Sequence, residues 1–381
     1  MPFRSPTRTF LEPGCLVRLP EVAAELSAQR LLLVVDPGLA ATPWPERARG
    51  SLLEVGLAVE TFQEVEANPR AETVERIASA VSAFEADGVV GLGGGSVLDA
   101  AKAAAMLATN PGRLVDFEGR NRFSRPALPF IAIPTTCGTG SEVTWVSVIT
   151  VPERRAKVSV KGDGMYPRVA LVDAELLASL PGRLVAWTGA DALTHALEAT
   201  TGLVSNPASD ALAAEAIELL WRYLPRAARD IAGDGEARRA VATASTLAGL
   251  AFGSADVAAV HCLSETLGGL YDLPHGLTNA VLLSPVLASH DKAVEARLAE
   301  LAERLDLVGE ARSRRAAARR FLACLGEWLE DLEIPDFTAL EVPEQDFDEI
   351  ARRSAANGSN GSNPRPMGPA EYRQILERLA R

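Results

Sequence analysis

The pattern of apolar residues changes near residue 180, and that change limits the fold more than any other feature of the chain. Before it, short apolar runs alternate with amphipathic stretches. Arg30-Leu-Leu-Leu-Val-Val-Asp36 has the unbroken apolar character of a strand covered on both faces, and Pro37-Gly38 closes it. Between Arg70 and Asp87, the residues Val74, Ile77, Val81 and Phe84 recur at helical spacing. Gly88 to Gly91 predicts a second strand, Gly93 to Ala105 a helix, and Phe130 to Pro134 a third strand. This alternation predicts a mostly parallel sheet with helices on both faces. From Pro181 onward, strand-like runs nearly vanish. Helix formers dominate from about Arg183 to Leu224, Ala237 to Leu270 and Lys292 to Leu332. Two domains are therefore expected, an α/β unit over 1–180 and an all-helical unit over 181–381.

Val241 to Leu263 is the most apolar long run, and it is read as one helix buried on all sides, with His261 near its end. Asp256 and scattered Ser and Thr argue against a membrane span. A helix is expected to break near Gly268-Gly269, and Ala356 to Asn363 reads as a polar loop. A net charge of −12 argues against a nucleic-acid binder, which would need a basic face to meet phosphates. The four cysteines are far apart and form no CxxC pair, so neither a disulfide framework nor a cysteine zinc site is expected. A reducing cytoplasmic setting fits, and the opening residues lack the apolar core of a signal peptide.

Gly91-Leu-Gly-Gly-Gly-Ser-Val-Leu-Asp99-Ala-Ala-Lys102 leaves a strand and enters a helix. Glycines at 93 to 95 let backbone N–H groups approach a phosphate, and the helix N-terminus adds partial positive charge. A dinucleotide diphosphate suits this loop; a tight turn capped by Ser96 is the structural alternative. Asp36, at a strand end, stands where a carboxylate accepts ribose hydroxyls and repels a 2′-phosphate, favouring NAD over NADP. A simple turn residue before Pro37-Gly38 is the structural alternative. Ile133-Pro-Thr-Thr-Cys-Gly-Thr-Gly-Ser-Glu-Val-Thr144 offers hydroxyls and free amides to a polar ligand over the sheet edge.

Of only four histidines, three fall in suggestive places. Asp191 and His195 are spaced i, i+4 on a predicted helix and project from one face. His261 and His275 flank the helix and turn that follow. One carboxylate and three imidazoles around a divalent ion suit Fe²⁺, Zn²⁺, Co²⁺ or Mn²⁺, and such an ion acts as a Lewis acid on a substrate oxygen. An isolated Asp/His pair or a core histidine is the ordinary alternative for each alone. His290 has no comparable partner.

At this point the chain resembles the iron-containing (group III) alcohol dehydrogenases. The matching segments are Gly-Gly-Gly-Ser-Val-Leu-Asp-Ala-Ala-Lys, the 133–144 loop, Gly-Ala-Asp-Ala-Leu-Thr-His-Ala-Leu-Glu and Gly-Gly-Leu-Tyr-Asp-Leu-Pro-His-Gly. The resemblance implies a Rossmann-like α/β domain, a helical domain of the dehydroquinate synthase-like type, and an active site in the cleft between them. It places the metal ligands on Asp191, His195, His261 and His275, with Fe²⁺ the expected ion and Zn²⁺ a competitor. It places coenzyme contacts on Asp36, Asn68, Gly95, Ser96, Thr135, Thr136, Thr144, Lys157 and Leu176, with Lys161 a rival to Lys157; Gly94, Asp99 and Thr139, in the same two loops, are further candidates. Trp145 and Phe252 are candidates for the substrate pocket. Many members carry a further histidine four residues after the third ligand, where this chain has Glu265. That residue becomes a candidate proton-transfer group. The implied activity is NAD-dependent interconversion of a small alcohol and its aldehyde, in a homodimer or larger assembly. The rivals are a metal-free reductase of the maleylacetate type, disfavoured by the complete ligand set, and a lyase like dehydroquinate synthase. The lyase would want Lys and Arg clustered near His261 and His275, and those segments are poor in both.

Overall fold

The computed structural model describes residues 3–381. Met1 and Pro2, part of the opening stretch discussed above, lie outside the described residues. The strands are β1 (Arg8–Phe10), β2 (Arg30–Val35), β3 (Ala58–Phe62), β4 (Gly88–Gly93), β5 (Gly119–Arg120), β6 (Phe130–Pro134), β7 (Val146–Val151), β8 (Ala156–Lys161) and β9 (Val169–Leu171). Interleaved with them are α1 (Leu19–Glu25), α2 (Trp44–Glu54), α3 (Ala71–Ala83) and α4 (Gly95–Leu107). The remaining helices follow β9: α5 (Gly182–Thr201), α6 (Pro207–Asp230), α7 (Gly235–Phe252), α8 (Ala259–Tyr271), α9 (His275–Ser289), α10 (Glu295–Arg304), α11 (Arg314–Asp331), α12 (Phe347–Ala355) and α13 (Pro369–Leu379).

A six-stranded sheet runs β1-β9-β6-β4-β2-β3, with every pair parallel. The strand period of two explains how the unbroken apolar run of β2 serves two cores. Leu32 and Val34 point to the α3 and α4 side, while Leu31, Leu33 and Val35 join α1 and α2 on the opposite face. Truncating a fully buried side chain such as Leu33 to alanine costs about 2–5 kcal/mol. A smaller sheet, β5-β8-β7, packs beside α4; its antiparallel β7–β8 pair carries the 146–161 segment back toward the helical half.

The helical half differs from the sequence expectation in its breaks. The run Val241 to Leu263 is not one helix. It stops at Phe252, turns through 253–258 and restarts at Ala259. Asp256 takes a left-handed φ of 65° and accepts the Ser359 and Ser362 hydroxyls, so the polar residue in the apolar run marks the turn. His261 therefore opens a helix instead of ending one. The expected break at Gly268-Gly269 is also absent, since α8 continues to Tyr271. Both glycines serve close approach: a β carbon on Gly268 would lie 2.8 Å from Lys157 Cε, and one on Gly269 2.7 Å from Ala156 Cα. Ser96 is not the cap of α4, which begins after Gly94 with no side-chain cap.

Candidate metal and nucleotide site

Four side chains from three helices meet. Asp191 and His195 lie one turn apart on α5, in a segment buried on nearly every face. His261 is the third residue of α8, and His275 is the first of α9. Between the last two, Asp272 takes a left-handed φ of 55° and Pro274 holds an extended conformation, which turns the chain and aims His275 back at α5. One ligand atom from each of the four lies within 4.8 Å of the other three. Asp191 Oδ1 is 3.9 Å from His261 Nε2 and 3.8 Å from His275 Nε2. A tetrahedral ion with bonds of about 2.1 Å needs donors about 3.4 Å apart, so a small inward shift completes the geometry.

The lone pairs converge. Asn279, one turn along α9 from His275, donates its Nδ2 to Asp191 Oδ1 at 2.6 Å, and the same nitrogen lies 3.1 Å from His261 Nε2 and 3.2 Å from His275 Nε2. A single amide nitrogen thus sits before three ligand atoms. Buried His195 Nδ1 and Asn279 Oδ1 have no hydrogen-bond partner. Burial draws the His195 imidazole down to about 4 and His275 to about 3, with the Asp191 charge opposing the shift in both. Both rings are therefore neutral near pH 7, the form that ligates a cation. Burial also penalises charged His261, but the Glu198 carboxylate overcomes it and raises its pKa. Asp191 is held below the usual carboxylate range: burial opposes ionisation, and the three histidines and Asn279 outweigh it. The set fits a divalent ion of the iron or zinc type.

Around this centre, Glu198 Oε2 is 2.6 Å from His261 Nδ1, and Ser264 Oγ is 3.1 Å from His275 Nδ1. Phe252, the last residue of α7, stacks on His195 with centroids 4.3 Å apart. Glu265 lies one turn beyond His261 and accepts from Asn357 Nδ2 at 2.7 Å. Trp145 donates its indole N–H to the Gly253 carbonyl at 3.1 Å, tying the sheet half to the turn before α8. Glu198, Asn279 and Asn357 were missed in the sequence. Asp191, His195 and Glu198 fall at i, i+4 and i+7 on α5, so a search for a third polar residue on that face would have found the first of them.

The glycine-rich turn lies between β4 and α4. The first turn of α4 carries no acidic residue, which suits an anion. Its glycines answer to packing as well. A β carbon on Gly95 would lie 2.4 Å from Thr139 Cγ2, and one on Gly94 3.0 Å from Thr136 Cγ2, so the Thr-rich loop closes over this turn only without side chains there. Gly140 takes a φ of 58°, and a β carbon on it would lie 2.4 Å from Gly249 Cα of α7. Asp36 accepts from the Gly38 amide at 2.8 Å, and its other oxygen lies 3.5 Å from the Gly94 amide. Thr135 is buried and bonded through its amide to Gly93; Leu176 is buried in the core beneath the sheet.

Three other expected contacts have roles within the protein. Asp99 accepts from Ser141 Oγ at 2.6 Å and Val148 N at 2.9 Å, so both its oxygens are engaged. The Thr144 hydroxyl lies 3.5 Å from buried Lys102 Nζ. Lys157 is not a solvated surface lysine. Its ammonium donates to Asn68 Oδ1 at 2.8 Å, and burial lowers its pKa against the pull of Glu265, Asp272, Asp191 and Asp99. Asn68, at a left-handed φ of 52°, in turn donates to Asp272 Oδ1 at 3.0 Å, bridging the two halves.

Comparison with known proteins agrees with this geometry. Residues 6–174 match the family model described as iron-containing alcohol dehydrogenase, and residues 185–380 match that of the Fe-containing alcohol dehydrogenase family, C-terminal. The chain is 34% identical over 376 residues to the NAD-dependent methanol dehydrogenase of Bacillus methanolicus, covering 98% of each. It is 36% identical over 365 residues to alcohol dehydrogenase 4 of Schizosaccharomyces pombe, covering 95% of this chain and 85% of that protein. The crystal structure of a 1,3-propanediol oxidoreductase superposes with a TM-score of 0.96 at 34% identity, covering 99% of each chain. With both halves matched and the Asp/His₃ group assembled, the chain belongs to the iron-containing alcohol dehydrogenase family.

Proposed function

We propose that this protein transfers hydride between NAD and a small alcohol or aldehyde at a divalent metal held by Asp191, His195, His261 and His275. The observation that carries the reading is the convergence of those four ligand atoms within 4.8 Å, with Asp191, His195 and His261 buried and His275 half-buried. A relative named NAD-dependent methanol dehydrogenase supports both the coenzyme and the substrate class. Iron is the ion of the family's description, and the same donors accept zinc. A cation held there supplies Lewis-acid polarisation of a substrate oxygen, and the nicotinamide supplies the hydride acceptor or donor.

The chain's own residues do the rest. Neutral His195 and His275 with ionised Asp191 leave the loaded centre at net charge +1, which favours an anionic oxygen over a neutral one. Gly94, Gly95 and Ser96 receive the coenzyme diphosphate at the N-terminus of α4. Asp36 accepts the ribose hydroxyls and disfavours a 2′-phosphate. Thr135, Thr136, Thr139 and Thr144 line the loop facing the coenzyme, while Asn68, Lys157 and Leu176 frame it. Asp99 acts by fixing the Ser141–Val148 wall. Trp145 and Phe252 bound the substrate pocket, and Glu265 takes the substrate proton. We divide the chain functionally into 1–180, which binds coenzyme, and 181–381, which binds metal and substrate. The enzyme works as a homodimer or larger assembly in the cytoplasm, and no described helix is long and apolar enough to cross a membrane.

The test is NADH oxidation over a panel of short aldehydes, before and after chelator stripping. Turnover should vanish with the metal and return on adding Fe²⁺ or Zn²⁺. Turnover that survives complete stripping would mark a metal-free reductase and refute the proposal.

A further inference from the structure

We infer that Glu198 is a positioning residue of the metal centre: its carboxylate fixes the Nδ1 proton of His261 and so presents Nε2 to the cage as a lone pair. The inference rests on reading the four side chains as metal ligands.

Glu198 is 2% exposed and sits in the apolar interior of the helical half. A buried carboxylate is costly unless its oxygens are filled. No lysine or arginine of the described residues forms an ion pair with it; the His261 imidazole is its side-chain partner. Oε2 accepts from the Ala258 amide at 2.8 Å and lies 2.6 Å from His261 Nδ1, while Oε1 accepts from the Val260 amide at 2.7 Å. All three bonds go to the entry of α8, which has no side-chain cap of its own. Glu198 therefore satisfies the open end of α8 and seats the ligand two residues inside it.

The three imidazoles are not supported alike. His261 Nδ1 faces a carboxylate, His275 Nδ1 faces the neutral Ser264 hydroxyl, and no side chain hydrogen-bonds His195 Nδ1, whose ring stacks on Phe252 beside the Gly138 backbone. A carboxylate accepts only. It therefore admits only the imidazole tautomer with a proton on Nδ1, which leaves Nε2 free, and it makes that nitrogen a stronger donor. A hydroxyl both donates and accepts, and it imposes no tautomer. This makes His261 the best-fixed of the three nitrogen ligands.

Glu198→Gln separates this from a purely structural role. Glutamine has the same shape, but one acceptor oxygen becomes an amide donor. If the amide faces Val260 N–H, two donors oppose each other and His261 keeps only a neutral partner. If it faces His261, Nδ1 must become the acceptor and Nε2 carries the proton into the cage. Both arrangements weaken metal binding. Affinity for Co²⁺ and Zn²⁺ would be measured on the chelator-stripped full-length protein by competition with a chelator of known affinity. The visible bands of the Co²⁺ form report ligand geometry directly. We expect Glu198→Gln to weaken binding about 10- to 100-fold and to shift the Co²⁺ bands. Ser264→Ala should weaken binding less. An unchanged spectrum and affinity within about twofold, even with a lowered melting temperature of the stripped protein, would reduce Glu198 to a helix cap and overturn the inference. Should Glu198→Gln fail to fold, Glu198→Asp, which keeps the charge and withdraws it by a methylene, is judged by the same two readouts. A wild-type protein that binds neither ion fails at the ligand reading itself.

Discussion

Each half of the chain buries a polar cluster, and the two clusters are balanced in opposite ways. In the α/β half, fully buried Lys102 donates to the Ser141 carbonyl at 2.8 Å, Ser141 Oγ at 2.9 Å and the Val146 carbonyl at 2.8 Å, with Asp99 Oδ1 3.8 Å away. Its ammonium protons all have acceptors. Nearby, Glu142 accepts from Thr246 Oγ1 at 2.7 Å. Burial pushes the Asp99 and Glu142 carboxyls up and draws Lys102 down to about 8, with each charge easing the other's cost. This network is closed, and it clamps α4 to the 141–148 wall. In the helical half, four electron-pair donors converge, and a single amide nitrogen faces three of them. Protons complete the first cluster; only a cation completes the second. Burial of charge is thus no sign of function by itself. The sign is an excess of lone pairs over protons.

Mutation should separate the clusters by kind of damage. The largest effect is expected from Asp191→Ala/His275→Ala, which should lower kcat/KM by at least about 10³-fold, the loss of roughly 4 kcal/mol of transition-state stabilisation. The stripped variant should melt no lower than stripped wild type, and steady-state assays with metal analysis decide it. Lys102→Met should do the reverse. It leaves Asp99 and the Ser141 and Val146 carbonyls without their cation and should cost about 3–5 kcal/mol in urea unfolding, with full metal content in the molecules that remain folded. A variant that lost metal but not stability would erase the distinction.

Smaller effects sharpen it. Gly95→Ala drives a β carbon against Thr139, expected to cost about 1–3 kcal/mol. NADH affinity, followed by fluorescence titration, should fall about tenfold while metal content holds, since the displaced loop belongs to the coenzyme side. His290 tests burial without ligation. It is buried outside the cage, and burial takes its pKa from 6.5 to about 4. Between those values the unfolded chain holds a proton that the folded one does not. Its contribution to stability is therefore complete above pH 6.5 and is lost as pH falls toward 4. Wild type should lose about 2 kcal/mol relative to His290→Leu between pH 7 and pH 5. Equal losses in the two proteins would contradict the assigned shift.

Much of this was legible in the sequence, for identifiable reasons. Buried parallel strands announce themselves as apolar runs, so β2, β4 and β6 were readable. Short or half-exposed strands such as β1, β3 and β9 carry no such pattern. The helical half was readable as a class but not in its joints. An apolar run can be one buried helix or two, and only the role of Asp256 at the turn decides between them. The i, i+4 pair on α5 put Asp191 and His195 on one face, whereas the meeting of α8 and α9 over that face is tertiary. Glu198 had only its i+7 spacing from Asp191 as a signal, and Asn279 had none, because an amide on an apolar helix looks like many others until its partners are placed. Lys157 was read as a coenzyme contact, but its enclosure was not legible, because Gly268 and Asn68, which surround it, are distant in sequence.

The central claim is that these four side chains hold one cation. The most direct test is a crystal of the protein loaded with iron or zinc, with anomalous data collected on both sides of the absorption edge. The account predicts a single strong peak bonded at about 2.0–2.2 Å to Asp191, His195, His261 and His275, with the Asn279 amide moved off the centre. A metal-replete crystal whose peak lies elsewhere, or is bonded to fewer than three of the four, would contradict it.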